Sequence, residues 1–127
     1  MIIMKNKKLT IGISLRVVGN TDYNEKRDAL SQDWSKFFEK LEINPLLIPN
    51  TIKNVSEFLE DMQVQGLFLS GGDNVGDNQD RDITEQKIID YCLEKKIPLI
   101  GICRGMQVIN TFFGGKIETL ENSKHVG

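Results

Sequence analysis

The sequence predicts an α/β fold in three layers, a mostly parallel sheet with helices on both faces. Four short apolar segments that are typical of strands alternate with four segments whose apolar residues recur at helical spacing. The strand segments are apolar on both faces, as in parallel sheets covered on each side. At 127 residues the chain has the length of one domain, and a core of that size needs no metal or disulfide for stability.

The first strand is predicted at residues 9–14 (LTIGIS), and an amphipathic helix is predicted after it. The start of this helix is expected between Asp22 and Asp28. Its apolar residues recur three and four positions apart, which predicts a single buried face. That face would consist of Leu30, Trp34, Phe37, Phe38 and Leu41.

The second strand is predicted at residues 45–49, near an edge of the sheet, because its two prolines cannot donate hydrogen bonds to a neighbouring strand. Asn54 and Glu57 have the spacing of a capping box, which predicts the start of a second helix. The apolar face of that helix would consist of Val55, Phe58, Leu59 and Met62.

Residues 66–70 are predicted as the third strand, which leads into a glycine-rich turn at residues 71–73. After a polar loop, Asp82 is predicted to cap a third helix. The acidic residues here lack the spacing of a calcium loop, and the glycines lack that of a phosphate loop. We interpret Asp77, Asp80 and Asp82 as a solvated loop and a helix cap. The apolar face of the third helix would consist of Ile88, Ile89, Cys92 and Leu93.

The fourth strand is predicted at residues 98–102, a fourth helix follows it, and Gly114 and Gly115 are expected to end that helix. A short fifth strand is expected at residues 116–120. In the order 2-1-3-4 the third and fourth strands would be neighbours, and the loops that follow them would face each other at the edge where such sheets place their sites. The apolar face of the fourth helix would consist of Val108, Ile109, Phe112 and Phe113.

Composition and charge exclude several classes of function. Sixteen basic and eighteen acidic residues give a net charge of −2, so no broad basic field exists to bind nucleic acid or an anionic membrane. The uncharged run at residues 106–115 is too short to span a bilayer. The N-terminus is apolar first and basic afterwards, the reverse of a secretory signal, which predicts a cytoplasmic protein. Cys92 and Cys103 fit no zinc spacing, and no metal or other cofactor is expected.

Residues 101–105 (GICRG) form the pattern Gly-x-Cys-x-Gly, the thiol version of a nucleophile elbow. The glycines let strand and helix approach closely, and the thiol of Cys103 would project at a helix N-terminus, where the dipole favours a thiolate. The N–H of Arg104 is well placed to donate to an oxyanion. A second donor is expected from the glycine loop, with Gly72 preferred over Gly71. For Cys92, in mid-helix on an apolar face, core packing is the favoured interpretation.

Three runs resemble the class I glutamine amidotransferase-like superfamily, which implies a flavodoxin-like fold: residues 70–73 (SGGD), 81–85 (RDITE) and 98–107 (PLIGICRGMQ). The second and third runs, with Gly-Gly-Lys at 114–116, resemble its gamma-glutamyl-gamma-aminobutyrate hydrolase branch.

This resemblance implies hydrolysis of a γ-glutamyl amide by a Cys-His-Glu triad, in which Cys103 forms a γ-glutamyl thioester. It implies oxyanion N–H groups from Gly72 and Arg104, and substrate contacts from Gly71 and Gln107.

The family's catalytic histidine and glutamate lie on a later strand, well beyond the elbow. The sequence has one histidine, His125, in a polar stretch with loop composition, and we do not expect it to act as the base. We expect residues 8–127 to form a partial domain with a sheet incomplete at the C-terminus, after a tail of residues 1–7. An open sheet edge predicts a chain that is marginally stable or self-associates.

Three functions stay open. The first is hydrolysis of a small free γ-glutamyl amide, which the context of Arg104, Gly105 and Met106 favours. The second is a glutaminase subunit that passes ammonia to a partner synthase. The third is a non-catalytic member with a reactive or structural thiol, which the lack of a base favours. Arg16, near the end of the first strand, is a weak candidate for specificity, and a surface charge is the favoured interpretation.

Overall fold

The structure is a computed structural model that describes residues 7–20 and 22–114. The strands are β1 (Thr10–Ser14), β2 (Arg16–Asn20), β3 (Glu25–Ala29), β4 (Asn44–Ile48), β5 (Gly66–Leu69) and β6 (Leu99–Gly101). The helices are α1 (Gln32–Lys40), α2 (Val55–Asp61), α3 (Gln79–Lys95) and α4 (Arg104–Phe112). The expected fifth strand at 116–120, Gly115 and His125 lie outside the described residues.

The main sheet has four parallel strands in the order β4-β1-β5-β6. This order confirms the predicted arrangement, including the edge position of the proline-containing strand β4. Ile13 of β1 pairs with Leu47 on one side and Phe68 on the other, and Phe68 pairs in turn with Ile100 of β6. The carboxyl ends of β1, β5 and β6 therefore lie together at one edge of the sheet.

Helices cover both faces of this sheet, which confirms the three-layer prediction. Leu67 and Leu69 of β5 point into a core built with α2, α3 and α4. Phe68 points to the opposite face because side chains alternate along a strand. There its ring lies 5.5 Å from that of Trp34 and 5.6 Å from that of Phe38, both on α1.

A second, two-stranded sheet was not predicted. β2 and β3 form an antiparallel hairpin, so the expectation that a helix starts between Asp22 and Asp28 was wrong. The helix begins later because Ser31 caps it, accepting a hydrogen bond from the Asp33 N–H at 3.2 Å. The polar residues before it pair across the hairpin, where Asp28 also accepts two hydrogen bonds from Asn50, each of 2.9 Å.

The N-cap residue of α2 is the predicted one, whereas that of α3 is not. Asn54 caps α2 as predicted, accepting from the Glu57 N–H at 3.0 Å. The prediction that Asp82 caps α3 was wrong, because Asn78 accepts from the Arg81 N–H at 3.0 Å and starts the helix at Gln79. At the end of α4, Gly114 has a φ of 84°, as its predicted role in ending the helix requires.

Five residues that the periodicity placed on buried faces are exposed. Three of them are the C-cap residues of their helices: Leu41, Met62 and Phe113. The other two, Phe37 and Leu93, lie at the margins of their apolar faces and remain in contact with solvent.

No helix in the described ranges combines the length and the apolar character that crossing a membrane requires.

Candidate active site

Cys103 occupies a sharp turn between β6 and α4. Its backbone has φ 53° and ψ −110°, a region that residues with a side chain rarely adopt and that stores strain. The Ile102 N–H still donates to the Leu69 carbonyl at 3.0 Å, and the Gly105 N–H already donates to the Ile102 carbonyl at 2.9 Å. Strand pairing therefore ends and the helix begins within three residues, and Cys103 is exposed at this turn.

The two glycines of the elbow lie where strand and helix make their closest approach. A methyl group at Gly105 would overlap the Leu69 carbonyl, and it would lie 2.9 Å from Leu69 Cβ. A methyl group at Gly101 would overlap the Gly105 carbonyl and lie 2.8 Å from Ile109 Cδ1. Only glycine fits either position without moving backbone atoms, which is the physical reason for the Gly-x-Cys-x-Gly pattern.

The diglycine loop after β5, formed by Gly71 and Gly72, lies beside the elbow. A methyl group at Gly71 would be 3.5 Å from Cys103 Cβ. Gly72 has a φ of 85°, and its Cβ position faces the guanidinium of Arg16. The predicted juxtaposition of the two loops is therefore present, with Gly71 next to the cysteine and Gly72 next to Arg16.

Backbone N–H groups at the start of α4 point towards the same turn. Met106 donates to the Cys103 carbonyl at 3.0 Å, whereas no group among the described residues accepts from the Arg104 N–H. The first N–H groups of a helix have no partner within the helix. The Arg104 N–H is thus available to a ligand beside the thiol. Gln107, one turn further along α4, is exposed.

The side chain of Arg104 turns inward and joins a buried network of charges. It donates to Glu85 Oε1 and to Asp82 Oδ1. Glu85 is fully buried, and its other carboxylate oxygen accepts from Ser14 Oγ at 3.0 Å. Asp82 also accepts from the Gly76 N–H at 3.0 Å. Asp82, which the sequence predicted to be a helix cap, instead closes this network.

Arg81 lies at the centre of the network and is fully buried. Its Nε donates to Glu85 Oε1 at 3.0 Å, and its Nη1 lies 3.2 Å from Asp73 Oδ2. Burial lowers the pKa of Arg81, and the neighbouring carboxylates of Glu85 and Asp73 oppose that shift. From the sequence, residues 81–85 indicated only a resemblance. The pairing of Arg81 with Glu85 could have been predicted from their i, i+4 spacing, which puts both side chains on one helix face.

The guanidinium of Arg81 also binds the backbone of the diglycine loop. It donates to three consecutive carbonyls: those of Ser70 at 2.9 Å, Gly71 at 3.0 Å and Gly72 at 2.5 Å. Ser70 is held on its other side, because its Oγ donates to the Ser14 carbonyl at 2.7 Å. Hydrogen bonds to Ser14 of β1 and to Arg81 of α3 thus hold the loop beside Cys103.

A small cavity of about 190 Å³ opens between this loop, the hairpin and α1. Arg16 lies at its wall, about half-exposed, and pairs with Asp73 Oδ1 at 3.2 Å. The exposure of Arg16 agrees with its interpretation as a surface charge. Its ion pair with Asp73 holds it close to Gly72. The cavity is lined by Arg16, Ala29, Leu30, Ser31, Trp34, Ser70, Gly71 and Gly72.

Comparison with known proteins finds a matching family and several similar proteins. The family described as peptidase C26 matches residues 10–125. Gamma-glutamyl-CDP-amidate hydrolase of Campylobacter jejuni is 37% identical over 124 residues, covering 92% of this chain and 60% of that protein.

Two glutamine-hydrolyzing GMP synthase proteins are also similar. One, from Methanococcus aeolicus, is 31% identical over 85 residues, covering 67% of this chain and 41% of that protein. The other, from Plasmodium falciparum, is 34% identical over 67 residues, covering 53% of this chain and 12% of the synthase. The chain thus spans 60% of the Campylobacter hydrolase and smaller shares of the synthases.

Proposed function

We propose that this chain, which belongs to the peptidase C26 family, cleaves a γ-glutamyl amide bond through a thioester on Cys103. One observation carries the proposal: an exposed thiol in a strained turn, at φ 53°, directly beside the diglycine loop. A nucleophile held at a helix N-terminus, next to available N–H groups, is the arrangement that acyl transfer requires. The relative from Campylobacter, named gamma-glutamyl-CDP-amidate hydrolase, supports the same chemistry.

In the proposed reaction the sulfur of Cys103 attacks the side-chain carbonyl carbon of the glutamyl group. A carbon–sulfur bond forms and the carbonyl oxygen becomes an oxyanion, which the N–H groups of Arg104 and Gly72 would hold, with Gly71 as the alternative donor. Collapse of the adduct breaks the carbon–nitrogen bond, and the amine leaves with a proton. Water then cleaves the thioester to release glutamate and the free thiol. Gln107 and Gly71 would contact the glutamyl group.

The resemblance assigns the general base to a histidine on a later strand. The one histidine of the sequence, His125, lies outside the described residues. The proposal is therefore tested on the step that the described residues carry, which is bond formation at Cys103. The proposed substrate is a small γ-glutamyl amide or glutamine, and the proposed location is the cytoplasm, where a thiol stays reduced.

A second function is favoured by the two GMP synthase relatives, whose names state that they hydrolyse glutamine. In this alternative the same thioester releases ammonia from glutamine, and a partner synthase consumes it. Ammonia release that increases when a partner synthase is added would favour this alternative. Equal turnover of several γ-glutamyl amides without any partner would favour the hydrolase.

The test is labelling with the chloroketone analogue of glutamine, in which a chloromethyl ketone replaces the side-chain amide. The sulfur displaces chloride, so one carbon–sulfur bond forms, one carbon–chlorine bond breaks and the thiol proton passes to water. We expect the native protein to be labelled at Cys103 alone, with protection by glutamine, and Cys103→Ser to remain unlabelled. Peptide mass mapping identifies the labelled residue.

Cys92 provides the matched control, because it is a free thiol in the same chain but is buried. Cys92→Ser is expected to label at the wild-type rate. The proposal would be wrong if glutamine gave no protection, or if both cysteines reacted equally and only after denaturation. That second pattern supports the non-catalytic alternative.

A further inference from the structure

The diglycine loop makes an unusual set of bonds to one buried side chain. Arg81 donates to the carbonyls of Ser70, Gly71 and Gly72, which are three consecutive residues of the loop. Each bond has a length of 3.0 Å or less. A loop with two glycines has more backbone freedom than any other dipeptide, so this loop needs an external restraint to keep one conformation.

We propose that Arg81 is a positioning residue, which orients the N–H groups of the diglycine loop towards the oxyanion. The inference rests on the proposed function. In a planar trans peptide the carbonyl and the following N–H point in opposite directions. When the carbonyls of Ser70 and Gly71 turn to Arg81, the N–H groups of Gly71 and Gly72 must point away from it. Both candidate donors in this loop are therefore oriented by one guanidinium.

The side chain needed for this task is an arginine. A guanidinium carries five N–H donors in a rigid planar fork, whereas a lysine ammonium is a point charge with three donors on a flexible stem. Arg81 uses the fork completely: Nε donates to Glu85, and Nη1 and Nη2 bind the loop. Lysine would keep the positive charge and most of the volume, but its three donors could not hold the three carbonyls and Glu85 at once.

The same network links the loop to the elbow. Glu85 Oε1 accepts from Arg81 and also from the side chain of Arg104, whose N–H is the other candidate oxyanion donor. The two donor segments, one after β5 and one at the start of α4, therefore share a single buried carboxylate. Burying two arginines and a glutamate costs free energy of desolvation. The shared carboxylate of Glu85 fixes the distance between the two donor segments.

The test compares Arg81→Lys with the wild type and with Arg27→Lys. Arg27 is an exposed arginine of the hairpin that pairs with Glu25, so its variant makes the same substitution away from the site. Each protein is treated with the chloroketone analogue of glutamine and, separately, with iodoacetamide. The sulfur first adds to the ketone carbon and places negative charge on its oxygen; it then moves to the adjacent carbon as chloride leaves and the ketone re-forms, which gives the same net displacement. Iodoacetamide reports only the access and nucleophilicity of the thiol.

In Arg81→Lys we expect the rate of chloroketone labelling at Cys103 to fall about 10- to 100-fold, since loss of a single oxyanion donor reduces rates by about 10²–10³. The iodoacetamide rate should change less than about twofold, and glutamine binding, measured as protection, should change little. Arg27→Lys should match the wild type with both reagents. A role in stability alone would change both rates together, and that result, or no change in either rate, overturns the inference.

Two further measurements keep the test decisive. If Arg81→Lys does not fold, Asp73→Asn removes one carboxylate partner of Arg81 without burying a new charge, and its chloroketone rate should fall selectively. An unchanged ratio of the two rates would overturn the inference. In folded Arg81→Lys, the amide order parameters of Gly71 and Gly72 should drop from about 0.85 to below about 0.6, whereas a loop that stays rigid contradicts it.

The failure of the inference differs from the failure of the proposed function. If the wild type lacks glutamine-protected labelling, the proposed function fails, and the order parameters still decide whether Arg81 restrains the loop. If the wild type labels selectively and Arg81→Lys labels equally well, the proposed function stands and the positioning role is wrong.

Discussion

At the scale of the residue, the two cysteines show how placement decides chemistry. Cys103 is exposed at the end of a strand, in a backbone conformation that its neighbours impose. Cys92 is buried among the residues of α2, α3 and β5, and burial raises the pKa of its thiol from 9.0 to about 11. The first thiol is open to attack a carbonyl, whereas the second is protected from reagents and held in the neutral form.

The raised pKa of Cys92 predicts a specific loss of stability in alkali. In the unfolded chain the thiol ionises above pH 9.0, whereas in the folded chain it ionises only near 11. The contribution of this thiol to the free energy of unfolding is therefore complete below pH 9.0 and is lost as pH rises towards 11. Two pKa units correspond to at most about 2.7 kcal/mol.

Urea unfolding of the wild type and of Cys92→Ala, at one pH below 9.0 and one near 11, measures this effect. The wild type should lose about 2 kcal/mol more than the variant between the two conditions. Equal losses in both proteins would show that this thiol is not the source of the alkaline transition.

The residue scale is also where the sequence was least informative. Cys103, Arg104 and the glycines could be chosen in advance because a fixed pattern surrounds them. The inward side chain of Arg104 could not, because its partners Asp82 and Glu85 lie about twenty residues away on another helix. A charged residue in a string of letters looks solvated unless the fold that buries it is already known.

At the scale of the element, strands and helices with an apolar face were predicted, and the polar hairpin was not. β3 (EKRDA) has no apolar alternation and is exposed at four of its five positions. It is a strand because it pairs with β2, with Val18 opposite Arg27 and Gly19 opposite Lys26. Local composition contains little information about such pairing. The hairpin is stabilised by its partner strand and by the hydrogen bonds that Asn50 donates to Asp28.

The approach of β5 to α4 gives a prediction at this scale. Gly105→Ala should destabilise the protein by about 1–3 kcal/mol or more, because its methyl group would overlap the Leu69 carbonyl. Chloroketone labelling of Cys103 should slow as well, since the elbow must shift to make room. Thermal or urea unfolding measures the first effect, and labelling kinetics measure the second.

Gly19→Ala is the matched control for this substitution. A methyl group at Gly19 meets no described atom within 4 Å, so its free energy of unfolding should stay within about 0.5 kcal/mol of the wild type. Equal effects of the two substitutions would argue against a tight contact at the elbow.

At the scale of the whole molecule, the order of the main sheet follows from the alternation of strands and helices, which leaves few arrangements for four parallel strands. The same order brings the loops after β5 and β6 together, which is why their juxtaposition could be predicted from the sequence. One side of the sheet at β6 is less well covered. Within the described ranges β6 pairs only with β5, and Ile100 and Ile102 are exposed.

This apolar margin predicts self-association. An exposed strand edge with large apolar side chains favours pairing with another chain, so the wild type should elute earlier in size exclusion as its concentration rises. Ile100→Lys should shift the protein towards the monomer, because a lysine at the edge opposes pairing. Leu93→Lys is the control, since Leu93 is equally exposed but lies on α3.

A wild-type protein that elutes as a monodisperse monomer at every concentration and unfolds cooperatively would contradict this expectation. So would an equal effect of the two lysine substitutions, because association would then not depend on the β6 margin.

The most direct test of the account is a crystal structure of the protein after reaction with the chloroketone analogue of glutamine. We predict a carbon–sulfur bond to Cys103, with the ketone oxygen about 2.7–3.1 Å from the N–H nitrogens of Arg104 and of a diglycine-loop residue, Gly72 or Gly71. An adduct whose oxygen points to solvent, away from both donor segments, or a bond formed at Cys92, would contradict the central claim.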